Sequence, residues 1–117
     1  MTLKEGLKVA ITNEEFYIHY QPQFDLHSKN MVGLEALLRW HHPKLGSVSP
    51  AEFIPLAEET GSIVSIGKWV LRSACEQTNA WQRNGHPLLK IAVNVSAYQL
   101  THPSFLEDLK QIIQETS

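Results

Sequence analysis

The stretch MVGLEALLRWHHP, residues 31–43, is almost wholly apolar, yet it carries a carboxylate at Glu35 and a guanidinium at Arg39. Its apolar residues alternate along the chain, which predicts a β-strand. One face is apolar and formed by Val32, Leu34, Ala36, Leu38 and Trp40. The other face carries Gly33, Glu35, Leu37 and Arg39, with the two charges about 13 Å apart along the strand. We expect the apolar face to lie against helices and the charged face to point away from them.

The preceding segment FYIHYQPQF, residues 16–24, alternates in the same way, and DLHSKN (25–30) has the composition of a turn. The two strands are therefore predicted to form an antiparallel hairpin. A turn centred near residue 28 places Gln21 opposite Glu35 and Tyr17 opposite Arg39, so that polar groups share one face.

Helical periodicity predicts a short helix over residues 3–12, a long helix closed by Gly85 and a last helix that begins at Pro103. Between them, Ser49 and Pro50 predict the start of another helix, Pro55 a kink or end, and Gly61 a stop. A third strand is expected over residues 89–97. Because a helical crossover joins parallel strands, this order predicts an α/β fold with the third strand parallel to the second.

The third strand is expected to place Ala92, Asn94 and Ser96 on the same polar surface. A solvated sheet face would also show this alternation. A barrel interior whose mouth binds a ligand fits better, because the predicted helices cover one face and the other mixes a carboxylate, amides and a guanidinium.

Glu35 and Asn94 offer one anionic and one neutral oxygen ligand, which suit Mg²⁺, Mn²⁺ or Ca²⁺. Arg39 has a planar fork suited to phosphate. Together they indicate metal-assisted phosphoester chemistry, although two oxygen ligands hold a divalent ion weakly and no general base is evident. The alternative for Glu35 is a salt bridge with Arg39 across the same face.

The segments YIHYQPQFDLHSKNMVGLEALLRWHHPKLGSVSPAEFIPLAEETGSIVSIGKWVLRSACEQTNAWQ and IAVNVSAYQL resemble the EAL domain family, with Glu35-Ala36-Leu37 as the naming motif. The resemblance runs from about residue 4 to the end. It implies a bacterial phosphodiesterase that uses Mg²⁺ or Mn²⁺ to hydrolyse cyclic di-GMP to linear pGpG. The implied fold is a variant TIM barrel whose first strand is antiparallel, in agreement with the predicted hairpin.

By position, the resemblance implies that Glu35 and Asn94 are metal ligands. Gln21 and Arg39 are implied to contact cyclic di-GMP, and Leu37 and Pro55 to line that site.

The family's later Glu-x-Thr-Glu and Asp-Asp-Phe-Gly motifs do not occur in these 117 residues. Residues 1–117 therefore resemble the N-terminal portion of an EAL domain, a partial barrel of about three strands with covering helices. We expect no hydrolysis by this chain alone, and self-association through unpaired sheet edges. The alternative is a degenerate module that binds cyclic di-GMP or a protein partner without hydrolysis. A GGDEF or sensory domain is a possible neighbour in the parent protein.

The formal net charge is −2 and the pI about 6.3, and no basic tract indicates binding to a nucleic acid polymer. The single cysteine, Cys75, and the lack of a long apolar run predict a cytoplasmic chain without a membrane segment. His41 and His42 are adjacent on a strand, so they are expected to point to opposite sides rather than bind one metal ion together.

Overall fold

The computed structural model describes residues 2–85 and 90–116. The elements in chain order are α1 (Leu3–Ala10), β1 (Phe16–Phe24), β2 (Met31–His42), β3 (Gly46–Val48), α2 (Pro50–Thr60), α3 (Ser62–Arg83), β4 (Lys90–Val93), α4 (Ala97–Leu100) and α5 (Phe105–Thr116). This order confirms the predicted α/β class.

The sheet is organised around β2, which pairs with β1, β3 and β4. β1 and β2 are antiparallel, with Gln21 opposite Glu35 and Tyr17 opposite Arg39, so both predicted pairs are confirmed. β4 runs parallel to β2 and places Ala92 beside Glu35, which confirms the predicted crossover. β3 extends the far end of β2 as a short antiparallel strand that the sequence patterns did not predict.

The hairpin turn is fixed by Asp25. Its carboxylate accepts hydrogen bonds from the His27 backbone N–H (3.1 Å) and the Ser28 hydroxyl (3.0 Å). These bonds stabilise the ionised form and lower the pKa of Asp25. Lys29 takes a left-handed conformation with φ +61°, which lets the chain reverse. The turn therefore sets the register that places Gln21 opposite Glu35.

The core lies between the apolar face of β2 and the helices. Trp40, Phe53 and Ile66 are its largest fully buried side chains. The Phe16 ring lies 5.7 Å from that of Trp40 and 5.8 Å from that of Phe53. The prediction that β2 turns its apolar face inward is confirmed at Leu34, Ala36 and Trp40, which are all buried. It is wrong at Val32, which is 54% exposed and has no partner in β1 because the strand register shifts between Gln23 and Phe24.

α2 begins as predicted, since the Ser49 hydroxyl accepts a hydrogen bond from the Ala51 N–H (3.2 Å). It ends at Gly61 with φ +81°. Pro55 does not end the helix, and α2 continues through it to Thr60. The proline removes one backbone hydrogen bond, while burial of the neighbouring Phe53 and Ala57 side chains keeps the helix docked.

The third predicted strand is shorter than expected. β4 ends at Val93, and Asn94 and Val95 lie in an irregular segment before Ser96 caps α4. Its predicted start at Leu89 lies outside the described residues. α4 itself was not predicted.

α5 begins at Phe105 instead of Pro103, and its apolar side is only partly covered. Ile112 is buried, whereas Leu106 and Ile113 are 59% and 51% exposed. Within the described residues, no helix is both long enough and apolar enough to cross a membrane.

Candidate metal and phosphate site

The centre of the candidate site is a contact between Glu35 and Asn94. Glu35 lies in the middle of β2, between Gln21 on β1 and Ala92 on β4. Asn94 follows β4 by one residue, and its Nδ2 donates a hydrogen bond of 3.2 Å to Glu35 Oε2. The parallel pairing therefore brings together the two predicted oxygen ligands, Glu35 and Asn94, from distant parts of the sequence.

The alternative partner for Glu35 is not found. Among the ion pairs of residues 2–85 and 90–116, none joins Glu35 to Arg39. Glu35 is half-buried and Asn94 is exposed, so the pair lies at a surface that water and solutes reach. A carboxylate beside an amide, with no cation already paired to it, is a suitable partial site for a hard divalent ion.

The chemistry of this pair fits Mg²⁺ or Mn²⁺ only in part. Glu35 and the Asn94 side-chain carbonyl supply two oxygen ligands, and the described residues contain no group of three or more His, Cys, Asp and Glu side chains that could hold a metal. Magnesium sites often use one or two carboxylates and complete the shell with water and substrate phosphates. The pair therefore supplies two of the oxygen ligands of such a site and would leave the other positions to water and phosphate oxygens.

Arg39 lies two strand positions beyond Leu37 on the same face of β2 as Glu35. Its guanidinium is half-buried, and Nη1 donates to the carbonyl of Leu38 at 3.2 Å. That bond leaves most of the guanidinium donors available to an anion. Arg39 can therefore hold a phosphate at the same surface as the Glu35–Asn94 pair.

A cavity of about 440 Å³ adjoins this surface between β2, α2, α3 and the segment that follows β4. Leu37, Arg39 and Asn94 line it, together with Glu58 of α2. Much of the remaining wall is apolar, with Ile54, Ile63, Ile66 and Val70. The cavity thus places an apolar surface beside the predicted phosphate and metal contacts.

The structure brings the other two predicted residues to different places. Gln21 is exposed and lies directly across from Glu35, so it belongs to the same surface. Pro55 is exposed on α2, whereas the α2 residues that line the cavity are Pro50, Ile54 and Glu58. Pro55 is therefore not brought into the cavity wall, and its role stays a prediction.

The adjacent histidines point to opposite sides, as predicted. His41 is exposed and His42 is 4% exposed. The His42 Nδ1 accepts hydrogen bonds from the backbone N–H groups of Lys44 (3.0 Å) and Leu45 (3.2 Å). His42 therefore stabilises the β2–β3 turn from inside the protein.

Sequence reasoning missed Gln99, which is 4% exposed beside the site and also lines the cavity. The signal that would have found it is the spacing Ser96-x-x-Gln99, which is typical of a capped helix start. Ser96 Oγ accepts a hydrogen bond from the Gln99 backbone N–H at 3.1 Å, so the cap is present.

The sequence matches the EAL domain family over residues 4–117, and the chain belongs to that family. Two relatives from Pseudomonas aeruginosa illustrate the similarity. The bifunctional diguanylate cyclase/cyclic di-GMP phosphodiesterase MucR is 42% identical over 113 residues, which are 97% of this chain and 16% of that protein. The cyclic di-GMP phosphodiesterase PA2567 is 49% identical over 108 residues, which are 92% of this chain and 18% of that protein.

The fold is also similar to solved EAL structures. The MucR phosphodiesterase in complex with cyclic di-GMP superposes with a TM-score of 0.94 at 40% identity, covering 99% of this chain and 47% of that chain. A FimX EAL domain gives a TM-score of 0.86 at 26% identity, covering 99% and 46%. The chain thus spans less than a fifth of the two curated relatives and about half of these solved chains.

Proposed function

We propose that this chain forms the cyclic di-GMP-binding and metal-holding part of a phosphodiesterase that hydrolyses cyclic di-GMP to pGpG. The observation that carries the proposal is the hydrogen bond between Asn94 Nδ2 and Glu35 Oε2 at 3.2 Å, which joins the two expected metal ligands. The names of the MucR and PA2567 relatives, both cyclic di-GMP phosphodiesterases, support the substrate.

In this proposal, Glu35 and the Asn94 carbonyl hold one side of a Mg²⁺ or Mn²⁺ ion. A bound ion of this kind polarises a phosphoryl oxygen and lowers the pKa of a bound water. Arg39 binds the phosphodiester through its guanidinium, and Gln21 contacts the ligand from the neighbouring strand. Leu37 lines the ligand surface, and Pro55 is kept as a more distant lining residue.

Hydrolysis requires more carboxylates than this surface supplies, because two-metal catalysis holds both ions and orients the attacking water. The sequence contains neither a Glu-x-Thr-Glu nor an Asp-Asp-Phe-Gly motif. We therefore propose that the surface binds and orients cyclic di-GMP, and that turnover depends on groups outside these 117 residues.

The test is to incubate the purified chain with cyclic di-GMP and Mg²⁺ or Mn²⁺ and to separate the nucleotides by chromatography. We expect no pGpG from the wild-type chain. Formation of pGpG that disappears in the Glu35→Ala variant would overturn this part of the proposal.

A second function, binding of cyclic di-GMP without hydrolysis, is favoured by the Arg39 guanidinium, whose one described hydrogen bond, to the Leu38 carbonyl, leaves most of its donors available to a phosphate. Calorimetric titration with cyclic di-GMP tests whether the chain binds by itself, with Arg39→Lys as the matched variant that keeps the charge and loses the planar fork. The binding function predicts heat that decreases in Arg39→Lys. No heat at high micromolar ligand would exclude it.

The partial barrel, a homo-oligomer and a cytoplasmic location form part of the same proposal. β1 has β2 on one side, and in the described residues its other edge has no strand partner. Unpaired edges favour association with another chain. Light scattering at high concentration tests this point, and a monomeric mass would count against it.

A further inference from the structure

Gly67 of α3 lies directly against the side chain of Gln99 in α4. A Cβ added at Gly67 would overlap the side-chain amide of Gln99, so that amide or the helix that carries it would have to shift. Gln99 is 4% exposed, so its amide fills the notch that the glycine leaves in the helix surface. The short helix α4 is therefore packed on α3 through a contact between the Gln99 amide and Gly67.

Gln99 is linked to Asn94, the candidate metal ligand, through Ser96. Ser96 Oγ accepts from the Gln99 N–H at 3.1 Å, and the Leu100 N–H donates to the Ser96 carbonyl at 2.9 Å. Ser96 is two residues from Asn94 in the irregular segment. Asn94 is thus held between β4 on one side and the capped turn of α4 on the other.

The Gln99 side chain lines the neighbouring cavity of about 440 Å³. Much of its wall is apolar, with Ile54, Ile63, Ile66 and Val70, and its polar side chains include Arg39, Glu58 and Asn94. Moving an amide among apolar side chains without hydrogen-bond partners costs free energy. If a Cβ is added at Gly67, a movement of α4 as a whole is the alternative to that cost, and such a movement carries Ser96 and Asn94 with it.

We propose that Gln99, seated on Gly67, is a positioning residue that holds the Asn94 amide beside Glu35. The inference rests on the proposed function for its significance, since it concerns one ligand of the proposed metal site. It predicts that the Asn94–Glu35 contact depends on the packing of Gln99 in α4 against Gly67 in α3.

The test is a nuclear Overhauser effect between the Asn94 side-chain amide protons and the Glu35 side chain, measured in the isotope-labelled chain without metal. We expect it in the wild type and expect it to weaken about twofold or more in Gly67→Ala, since packed interiors transmit an added volume. Gly6→Ala is the matched control. It is also a helix glycine, but its added Cβ would come no closer than 3.4 Å, to Trp40.

Gln99→Ala is the second variant, and it also weakens the effect if Gln99 acts as proposed. In the Gln99→Ala background the notch is empty, so adding Gly67→Ala should produce no further loss. The inference is overturned if either single variant leaves the Asn94–Glu35 effect at its wild-type value. It is also overturned if Gly67→Ala weakens the effect equally in both backgrounds.

These measurements separate positioning from stability and from metal binding. A merely structural role would change thermal unfolding and leave the Asn94–Glu35 effect intact in the folded variant. Because the readout needs no metal or nucleotide, failure of the proposed function would leave the positioning result unchanged.

Discussion

Asn94 Nδ2 donates a 3.2 Å hydrogen bond to Glu35 Oε2, and the two residues are 59 positions apart in the sequence. The bond depends on the register of β2 and β4, in which Glu35 lies beside Ala92. The candidate site is therefore only as well defined as the parallel pairing of these strands.

Gly33→Ala tests the dependence on strand pairing. A Cβ at Gly33 would lie 2.7 Å from the Lys90 carbonyl oxygen, so the backbones of β2 and β4 must separate. We expect the free energy of unfolding to fall by about 1–3 kcal/mol, as for other overpacked positions. Urea denaturation measures this loss, and hydrogen exchange should accelerate at the amides of β4.

A matched glycine is Gly6, where an added Cβ meets Trp40 at 3.4 Å and helix propensity favours alanine. Gly6→Ala should leave exchange in β4 unchanged. Equal exchange rates in β4 of wild type and Gly33→Ala would contradict the close-approach explanation.

His42→Phe tests the role of the buried imidazole. Phenylalanine keeps an aromatic ring near Trp40, whose ring lies 5.8 Å from that of His42. It removes the acceptor for the N–H groups of Lys44 and Leu45. We expect a loss of about 1–2 kcal/mol in the free energy of unfolding, measured by denaturation.

His41, the exposed neighbour of His42, provides the control variant. His41→Phe removes no described hydrogen bond of a ring nitrogen and should change stability by about 0.5 kcal/mol or less. Similar losses for the two variants would show that His42 contributes no more than a surface ring.

The hairpin could be predicted in detail because two independent signals agree. Alternation assigned the faces of both strands, and the turn centre then fixed Gln21 opposite Glu35. Tertiary packing decided what local patterns could not. Val32 alternates correctly but lies at the register shift between β1 and β2 and is exposed, and Pro55 is tolerated inside α2 because Phe53 and Ala57 are buried beside it.

The sequence could predict which site residues share a face only where those residues lie within a strand. Glu35, Leu37 and Arg39 share a face by alternation, whereas Asn94 lies just past the end of β4, where alternation no longer applies. Its proximity to Glu35 follows from the parallel register. The contact of Gln99 with Gly67 could not be predicted because it joins residues on different helices, whereas the spacing Ser96-x-x-Gln99 indicates only the capped start of α4.

The contact between α3 and α5 should depend on pH through Asp108. The Ser104 hydroxyl donates to its carboxylate at 2.8 Å and Lys68 Nζ lies 3.3 Å away, and both lower the pKa of Asp108. A lowered pKa in the folded state means that the stabilisation is complete above the ordinary carboxyl pKa. It is lost as the pH falls through the lowered value.

Unfolding of the wild type and Asp108→Asn should therefore differ at neutral pH. The two should begin to converge as the pH falls below about 4 and should coincide only below the lowered pKa of Asp108. Glu107→Gln is the control, because the Glu107 side chain is 81% exposed and lies 3.9 Å from Lys110. A stability difference between wild type and Asp108→Asn that stays constant into acid would contradict the assignment.

The most direct test of the metal site is a Mn²⁺ titration of the isotope-labelled chain, followed by paramagnetic broadening of the backbone amide signals. If Glu35 and Asn94 hold the ion, their amide signals broaden at the lowest Mn²⁺ concentrations. This selectivity should be lost in Glu35→Gln, which keeps the shape of the side chain and removes its charge. Broadening that begins at the acidic pair Glu58 and Glu59, or that is unchanged in Glu35→Gln, would contradict the proposal that Glu35 and Asn94 hold a divalent cation.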